Sequence, residues 1–527
     1  MPILLPICTY ICYNVGMEIV SNLTMPLEAN QAAVRSAACH RLGWKVGQVR
    51  TFVVLRRSVD ARRMPVKWVY TVGLSREVEA VPCYAPRAAR PLDKRPVVVG
   101  FGPAGMMCAL SLAESGLRPI VLERGGDVDT RTQKVRDFWQ NGVLDEQCNV
   151  QFGEGGAGAF SDGKLNTGTG DKWMQRYVLE TFVRYGADPS ILYEAKPHVG
   201  TDKLVGVVRG IRERIRSLGG EVHCNEPVVD IVSSAEGAVL TTPAARYTTR
   251  HAVLAIGHSA RDTYRLLHSR GYLMECKAFA VGLRVEHLQE DISRALYKEA
   301  YGHPLLPPAD YKLVSHTPYG GVYTFCMCPG GYVVASSAER ETVVTNGMSY
   351  SGRDGVNANA AVLVGVTADD LAGRLFGGVA LQEQLERSAY RLGGGDYRAP
   401  AQRLGDFVAG RQTVSFGKVS PTYMPGVTPA RLDQNLPFAL APAIRHAFGD
   451  FGRKIRGFDD EDAVLTGFET RSSAPLRVLR GDDYRAPTDP CVYPCGEGCG
   501  YAGGIMSAAT DGLKVAEAIA LDNGAEA

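Results

Sequence analysis

The stretch RPVVVGFGPAGMMCALSLAESGLRPIVLE, residues 95–123, decides the fold of this chain. A run of valines leads into a complete G-x-G-x-x-G motif, an apolar helical run follows, and a second apolar run ends at Glu123. In such a βαβ unit Gly100 permits the tight turn, Gly102 lets the backbone approach a pyrophosphate, and Gly105 lets the helix pack closely on the strand. Glu123 follows at about the 20-residue spacing of an acid that binds ribose hydroxyls. The stretch therefore predicts a Rossmann-type dinucleotide-binding unit.

A glycine-rich turn in some other α/β protein is the alternative interpretation of the motif. The strand before it, the helix after it and the acid within one βαβ unit favour dinucleotide binding. The N-terminus of the helix would offer free N–H groups and a positive dipole end to the phosphates. An acid at position 123 would also repel a 2′-phosphate.

Composition narrows the class of protein. At 527 residues the chain is long enough for two or three domains. Its net charge is +2, which gives no general reason to expect a nucleic-acid partner. The 13 cysteines are an odd number, scattered, and without zinc-ligand spacing, so we expect neither a disulfide framework nor a metal site. A reducing cytoplasm is the expected location.

Residues 1–17 carry no charge and lack the basic start of a signal peptide. The stretch is also short for a membrane span, and we expect no other stretch of the sequence to span a bilayer. An over-extended start, with Met17 or Met25 as the true beginning, is at least as good an interpretation as an anchor.

Four segments are predicted along the chain: a small α+β unit over 17–85, the first part of the dinucleotide domain over 94–275, an inserted α+β substrate domain over 276–485, and a return to the dinucleotide domain over 486–527. We expect helices over 27–42, 172–185, 201–217, 358–364, 367–375 and 381–392, strands over 279–285, 321–327 and 332–336, and irregular chain directly after Glu123. The basic segment 56–67 indicates either an acidic ligand or a solvated hairpin end, and the hairpin is favoured.

Two further glycine-rich stretches point to the same ligand. Residues 149–171 contain seven glycines beside Ser161, Asp162 and Lys164, which is typical of a backbone passing close to a flat ring, with a disordered loop as the alternative. A buried strand run ends at Gly257, and near the C-terminus Gly496-Glu497 precedes a helix that opens at Gly503-Gly504.

Together these motifs resemble the bacterial FAD-dependent dehydrogenases of the glutathione-reductase-like flavoprotein superfamily. The resemblance covers nearly the whole chain from residue 27, and this chain departs from the usual family pattern at Cys499 and Ala159. The motifs that carry the resemblance are NVQFGEGGAGAFSDGKL (149–165), AIGHSARDTY (255–264), YTFCMCPGG (323–331), NGMSYSGRDGVNAN (346–359), PAQRLGDF (400–407), GFETRSSAPLR (467–477) and CGEGCGYAGGIMSAATDG (495–512).

The resemblance implies FAD as the cofactor. The residues that it places around FAD are Gly100, Gly102, Pro103, Ala104, Gly105, Glu123, Arg124, Gly155, Gly156, Ser161, Lys164, Val228, Val229, Gly257, Gly496, Glu497, Gly503, Gly504 and Ile505. Within this set, the G-x-G-x-x-G glycines would bind the pyrophosphate, Glu123 the ribose, and Val228 or Val229 the adenine through its backbone. Four of these residues would line the isoalloxazine, namely Gly155, Gly156, Ser161 and Lys164. The helix that starts at Gly504 would direct its N–H groups at the flavin.

Three side chains are candidates for chemistry, each with a structural alternative. Cys326, which would share one face of a strand with Cys328, is either a reactive thiol or a small core residue, and packing is favoured. Arg471 would either clamp a carboxylate or phosphate of the substrate or form a structural ion pair. His258 is a possible acid–base residue or a helix cap.

The sequence thus predicts an FAD-dependent oxidoreductase that transfers a hydride between flavin and a small organic substrate. No second dinucleotide motif occurs, which argues against a dedicated NAD(P)H domain and leaves transient NAD(P)H binding in the substrate cleft as an alternative. A flavin monooxygenase or oxidase and an RNA-modifying flavoprotein are the rival functions, and a flavin-binding scaffold without turnover is a weaker third. No nucleic-acid partner is expected, and the oligomeric state is left open.

Overall fold

A computed structural model describes residues 16–160, 163–165 and 170–525, which fold into a mixed α/β protein. The residues at 1–15, which include most of the uncharged N-terminal stretch, lie outside the described part, as does Ser161 of the predicted flavin contacts.

The first unit is a three-stranded antiparallel sheet, ordered β1-β3-β2, with one helix packed on it. Its strands are β1 (Glu18–Met25), β2 (Thr51–Asp60) and β3 (Lys67–Ser75), and its helix is α1 (Gln31–Leu42), with a short 3₁₀ turn at Val46–Gln48. The helix starts later than the sequence predicted because the Asn30 side chain caps it by accepting the Ala33 N–H at 2.9 Å. Arg57 joins this unit to the next, exchanging backbone hydrogen bonds with Tyr193 and Ala195.

The next segment contains the βαβ unit with the G-x-G-x-x-G motif. Its elements are β4 (Val97–Val99), α2 (Pro103–Glu114), β5 (Ile120–Leu122), α3 (Val128–Asn141), α4 (Lys172–Arg184), α5 (Thr201–Ser217), β6 (Glu221–His223), β7 (Asp230–Ser234), β8 (Gly237–Thr241), β9 (Arg246–Thr249), β10 (Ala252–Leu254) and α6 (Arg261–Ser269), with 3₁₀ turns at Ala157–Phe160 and Pro189–Leu192.

The stretch after Glu123 corrects one expectation, because it contains helix α3 rather than irregular chain. Asp127 caps this helix by accepting the Thr130 N–H at 2.8 Å, and Gly142 ends it in the left-handed conformation. Charged residues occupy its outer face and dilute the apolar pattern, which is why the sequence did not show it.

A large mixed segment follows, with its own sheet. Its strands are β11 (Met274–Cys276), β12 (Phe279–Leu288), β13 (Val314–Thr317), β14 (Gly320–Cys328), β15 (Tyr332–Ala335), β16 (Thr345–Met348), β17 (Asn357–Val366), β18 (Ala399–Arg403), β19 (Val427–Pro429), β20 (Val464–Glu469) and β21 (Leu476–Val478). Its helices are α7 (Gln289–Tyr297), α8 (Gly377–Gly393), α9 (Leu404–Ala409) and α10 (Leu440–Lys454), with 3₁₀ turns at Lys298–Ala300 and Asp369–Leu371.

Two predicted helices in this segment were wrong. Residues 358–364 form the middle of strand β17, which lies between β12 and β14 and is buried on both faces, so its continuous apolar run carries no alternation that would mark it as a strand. Residues 367–375 hold only a 3₁₀ turn, because Ala372 and Gly373 both take positive φ angles. The helix predicted over 381–392 is present as α8.

The chain then returns with β22 (Val492–Pro494) and α11 (Ile505–Asp522). Strand β22 pairs in parallel with β10, which completes a parallel sheet ordered β22-β10-β4-β5-β6 among the described strands. Helices α2, α5 and α11 cover one face of this sheet, and the antiparallel β7-β8-β9 sheet packs near the other. The seven-stranded sheet β13-β14-β17-β12-β20-β18-β19 forms a second core with α8 and α10.

Candidate functional site

The carboxyl ends of four parallel strands meet at one edge of the first sheet. Gly100 follows β4, Glu123 follows β5, Gly257 follows β10, and Gly496 follows β22. The four turns are tied to each other through the sheet, since Gly100 donates its N–H to Leu122 and Cys495 donates to Leu254. The predicted residues from distant parts of the chain therefore share one edge, which is where open α/β sheets bind ligands.

The turn after β4 has no room for larger side chains at two of its glycines. Gly100 has a φ of +96°, and a Cβ there would lie 2.3 Å from the Ala255 carbonyl oxygen. A Cβ on Gly105 would lie 2.0 Å from the carbonyl oxygen of Gly100 itself. At Gly102 the φ is an ordinary −79°, and the nearest atom to a Cβ would be the Gly156 Cα at 3.6 Å. Gly102 therefore presents open backbone at the start of α2.

Two helices begin at this edge without a capping side chain. Helix α2 starts at Pro103 after Gly102, helix α11 starts at Ile505 after Gly504, and neither has a side-chain cap or an acid in its first turn. The helices pack against each other so closely that a Cβ on Gly512 would lie 2.1 Å from the Ala104 carbonyl oxygen. Free N–H groups of both helices thus face the same edge, an arrangement that suits an anionic ligand.

The Glu123 carboxylate is buried and accepts three backbone N–H groups, from Phe101 at 2.7 Å and from Gly125 and Gly153 at 3.0 Å. It therefore links the end of β5 to the glycine turn on one side and to the 149–156 loop on the other. The Arg124 guanidinium lies over the Phe152 ring and 2.5 Å from Asp262.

Arg131 of helix α3 holds the 149–156 loop in place. Its fully buried guanidinium donates to five backbone carbonyl oxygens, those of Asn149, Val150, Gly153, Glu154 and Gly156, at 2.7–3.2 Å. Burial lowers the pKa of Arg131 to about 10, so the group remains charged near neutral pH. The loop is an ordered structure around one arginine, and the disordered alternative is wrong for this part.

The loop lies directly on the glycine turn. Gly155 donates its N–H to the Phe101 carbonyl at 2.8 Å, and a Cβ on Gly156 would lie 2.8 Å from the Gly102 Cα. Its Glu154 side chain is fully buried against Arg212 and accepts the Val128 N–H, both at 2.7 Å. Further along, Lys164 forms a β-bridge with His198.

Val228 is buried and Val229 is half exposed at the entry to the β7-β8-β9 sheet. Val229 donates its N–H to the Thr241 carbonyl at 2.8 Å, so this donor is already engaged. A backbone contact of Val228 or Val229 with a base stays a prediction.

Glu497, His258 and Lys277 form a group of titratable side chains at the same edge. Burial raises the pKa of Glu497, and the opposing charges of His258 and Lys277 only partly offset it. Burial likewise lowers the pKa of Lys277, against the charge of Glu497. The Gly498 backbone packs against Gly257. A Cβ on Gly498 would lie 2.5 Å from the Gly257 carbonyl oxygen, so the turns after β10 and β22 are in contact.

His258 is connected to Arg471 by a hydrogen bond of 2.9 Å between its Nε2 and the Arg471 carbonyl oxygen. The guanidinium of Arg471 forms a bidentate pair with Glu386 of α8, at 3.0 and 2.9 Å. Glu386 is fully buried and forms a second bidentate pair with Arg261, which also reaches Glu339 at 3.1 Å. This buried pair is the ion pair that the sequence offered as the alternative to a substrate clamp at Arg471. The Nη1 atom of Arg471 has no hydrogen-bond partner in the described structure.

Cys326 and Cys328 do not share a strand face as the spacing predicted. The pairing of β14 with β17 shifts register between Phe325 and Cys328, and Cys326 takes a φ of +42° in the bulge. The Cys326 carbonyl accepts from Arg284 at 3.0 Å, and Arg284 is itself fully buried in a bidentate pair with Glu469. The Cys328 thiol donates to the Cys326 carbonyl oxygen at 3.2 Å.

Across the described ranges, no cluster of three or more His, Cys, Asp or Glu residues has the arrangement of a metal site. Within those ranges no helix is sufficiently long and apolar to cross a membrane.

The edge of the parallel sheet, its G-x-G-x-x-G turn and the two uncapped helices are the features on which dinucleotide-binding α/β proteins are built. Comparison with known proteins carries this further. Residues 278–472 match the family model described as "FAD-dependent protein, C-terminal domain-like", and residues 17–75 match a domain of unknown function (DUF8436).

A protein of Clostridium beijerinckii, described only as an uncharacterized protein, is 42% identical over 95% of this chain and 98% of its own length. The chain belongs to the same family as this protein, and within it the 278–472 segment is similar to the C-terminal domain of FAD-dependent proteins.

Among solved structures, the chain is similar to L-proline dehydrogenase from P. horikoshii, with 10% identity, a TM-score of 0.36, and coverage of 82% of this chain and 95% of that one. A thioredoxin reductase from Gloeobacter violaceus is 20% identical, with a TM-score of 0.18. The match covers 30% of this chain and 33% of the reductase.

The sequence did not point to Arg131, Glu386, Arg261 or Lys277. Arg261 lies inside the AIGHSARDTY motif (255–264), and this position could have marked it as a candidate functional residue. The other three are single charged residues whose partners are distant in sequence, and nothing local distinguishes them from surface charges.

Proposed function

We propose that this protein is an FAD-dependent oxidoreductase that transfers a hydride between the flavin and a small organic substrate. The observation that carries the proposal is the meeting of four turns at one sheet edge, with two uncapped helix N-termini directed at it. The family membership supports the identity of the cofactor.

The residues at this edge fit a flavin dinucleotide. Gly102 leaves open backbone beside the N-terminus of α2, where a pyrophosphate would accept from the free N–H groups. The Glu123 carboxylate is held beside the turn, at the position that would accept ribose hydroxyls. Gly503 and Gly504 also have open space where a Cβ would stand, which suits a ring placed against the start of α11.

FAD when bound supplies the hydride acceptor or donor, and the chain supplies position and electrostatics. The positive end of α11 would stabilise negative charge close to Gly504. Glu497, with its raised pKa, would lie beside the cofactor with His258 and Lys277 as charge partners. The Arg131-centred loop would cover the cofactor and exclude water from it.

We also propose that the sheet with its β22 and α11 return is one FAD-binding domain, interrupted by the 276–485 segment as a substrate domain. Strand β22 lies beside β10 in the parallel sheet, so the chain leaves this domain and re-enters it at neighbouring strands.

The test is an anaerobic absorbance titration of the full chain. Flavin absorbance in the purified protein is the expected starting spectrum, and a colourless protein that takes up no added FAD would contradict the proposal. Bleaching by NADH or NADPH would identify a pyridine nucleotide as a transient electron donor. Bleaching by dithionite alone would assign the electrons to the organic substrate or to another donor.

A pair of matched variants makes the test specific to the site. Gly102→Asp would place a carboxylate where the pyrophosphate is expected, and should reduce FAD retention at least tenfold. Gly206→Asp makes the same change on the exposed face of α5, where a Cβ meets nothing within 4 Å, and should retain FAD as the unaltered chain does. Equal retention in the two variants would place the cofactor elsewhere.

A further inference from the structure

A cavity of about 290 Å³ lies beside the start of helix α11. Its lining residues come from the seven-stranded sheet, from the chain after β20 and from the turn before α11, and they are Ala278, Phe279, Ala280, Tyr323, Phe325, Ser472, Ser473 and Gly503. Because Gly503 lies at the turn where we place the flavin ring and also lines the cavity, the cavity is next to that position. Its volume is at the low end for small-molecule sites.

Small residues form the floor of this cavity. Ala280 is buried and packs with Ala361 and Leu363 of the neighbouring strand β17. A larger side chain at position 280 would occupy the space. The walls are aromatic, since the half-buried rings of Tyr323 and Phe325 stand edge to face with their centroids 6.4 Å apart. Such rings favour a flat, apolar or aromatic occupant.

The polar groups of the cavity are neutral. Ser472 donates its hydroxyl to the Ala280 carbonyl, which leaves it as an acceptor, and Ser473 adds a second hydroxyl. Burial raises the pKa of Tyr323, so its hydroxyl stays a neutral donor or acceptor near neutral pH. None of the eight lining residues carries a charge. Arg471, next to Ser472 in the chain, has its charge balanced by Glu386.

We propose that this cavity is the substrate site and that it takes an uncharged aromatic compound of about one ring, with a hydroxyl or carbonyl group to meet the serine and tyrosine hydroxyls. The inference rests on the proposed function, which it deepens by naming the substrate class. None of the eight lining side chains would supply a counter-charge to a carboxylate or ammonium group, which disfavours charged substrates.

The experiment measures binding of three probes, namely phenol, benzoate and cyclohexanol, by equilibrium dialysis against the full chain, with and without FAD. Perturbation of the flavin absorbance is the second readout. Phenol should bind at least tenfold more tightly than benzoate or cyclohexanol, and it should perturb the flavin spectrum because Gly503 lines the cavity.

Ala280→Leu should weaken phenol binding at least tenfold while FAD is retained. Ala380→Leu makes the same change on the exposed face of α8 and should leave phenol binding unchanged. Tighter binding of benzoate than phenol would overturn the substrate class. Loss of FAD from the Ala280→Leu variant, or absence of phenol binding to the FAD-loaded chain, would overturn the site. A chain that takes up no FAD would contradict the proposed function instead, while dialysis still reports on the cavity.

Discussion

The carboxylate of Glu123 accepts the backbone N–H of Gly153 at 3.0 Å, and this bond joins the end of strand β5 to the loop that lies on the glycine turn. The same carboxylate accepts the N–H of Phe101 inside the turn. One side chain therefore fixes the relative positions of two backbone segments that would both contact the cofactor, in addition to any contact of its own with a ribose.

Glu123→Gln should lower both stability and FAD affinity. The amide would direct two N–H donors into a pocket that already holds three backbone donors, so at least one hydrogen bond would be lost and a donor left unsatisfied. We expect a loss of about 1–3 kcal/mol in the free energy of unfolding, measured in urea. Glu236→Gln, at an exposed ion pair, is the control and should leave stability nearly unchanged because solvent screens the pair. Equal stability of the two variants would show that the three bonds contribute little.

Arg131→Met should loosen the 149–156 loop. The substitution keeps an apolar stem but removes the donors to five carbonyl groups, so we expect a loss of about 3 kcal/mol or more in unfolding free energy and faster release of FAD. Limited proteolysis would show cleavage within the loop. Arg136→Met, on the exposed face of the same helix, should show neither effect, and a resistant loop in the Arg131 variant would count against the role given to this arginine.

Glu386→Gln should destabilise the protein by about 3–5 kcal/mol, because it leaves the guanidinium groups of Arg261 and Arg471 buried without their shared carboxylate. Burial alone would raise the pKa of Glu386, but the two arginines outweigh it and lower the pKa to about 2. The stabilisation is therefore present at neutral pH and is lost as the pH falls toward 2.

Glu383→Gln is the matched control for this cluster, since Glu383 lies on the same helix and pairs with the exposed Arg265. Urea unfolding at pH 7 and at pH 3 compares the variants. A Glu386 variant as stable as the Glu383 variant at pH 7 would mean that the cluster contributes no net stability.

The buried His287 should cause the free energy of unfolding to decrease as the pH falls from 6.5 to 4. Its buried Nε2–H donates to the Phe458 carbonyl at 2.8 Å, its Nδ1 has no hydrogen-bond partner among the described residues, and burial lowers its pKa to about 4. An unfolded histidine takes up its proton near pH 6.5. Because the unfolded chain binds the proton first as the pH falls, the free energy of unfolding should decrease by up to about 1.4 kcal/mol per pH unit in this range.

His287→Asn should flatten that part of the pH profile, and His316→Asn at an exposed position should not. The slopes of unfolding free energy against pH, rather than the absolute values, are the quantities to compare. Parallel profiles for all three proteins would assign the acid sensitivity to other groups.

The sequence was most informative where the determining interactions are local. The β4–α2–β5 unit follows from the positive φ of Gly100 and from the steric rule at Gly105, where a Cβ would meet the Gly100 carbonyl oxygen of the same turn. Strand β17 was mistaken for a helix because both of its faces are buried by neighbouring strands that no local pattern reveals. The bulge at Cys326 likewise depends on pairing with β17.

The polar groups that shape the site were the least predictable part. Arg131 contacts residues from 149 to 156, and Glu386 contacts arginines far away in the sequence, so neither leaves a trace in composition or spacing. The Glu123 position was recognised from its motif, but its three backbone bonds depend on a loop that arrives from outside the motif.

The pairing of β10 with β22 also has a consequence for how the protein is made. During synthesis the glycine turn emerges from the ribosome early, whereas the strand and the helix that complete its edge emerge only after the whole intervening segment. The nascent chain must keep the unfinished edge of a parallel sheet out of contact with other chains for most of its translation. The proposed cofactor site is therefore complete only after strand β22 and helix α11 have been synthesised, close to the end of translation.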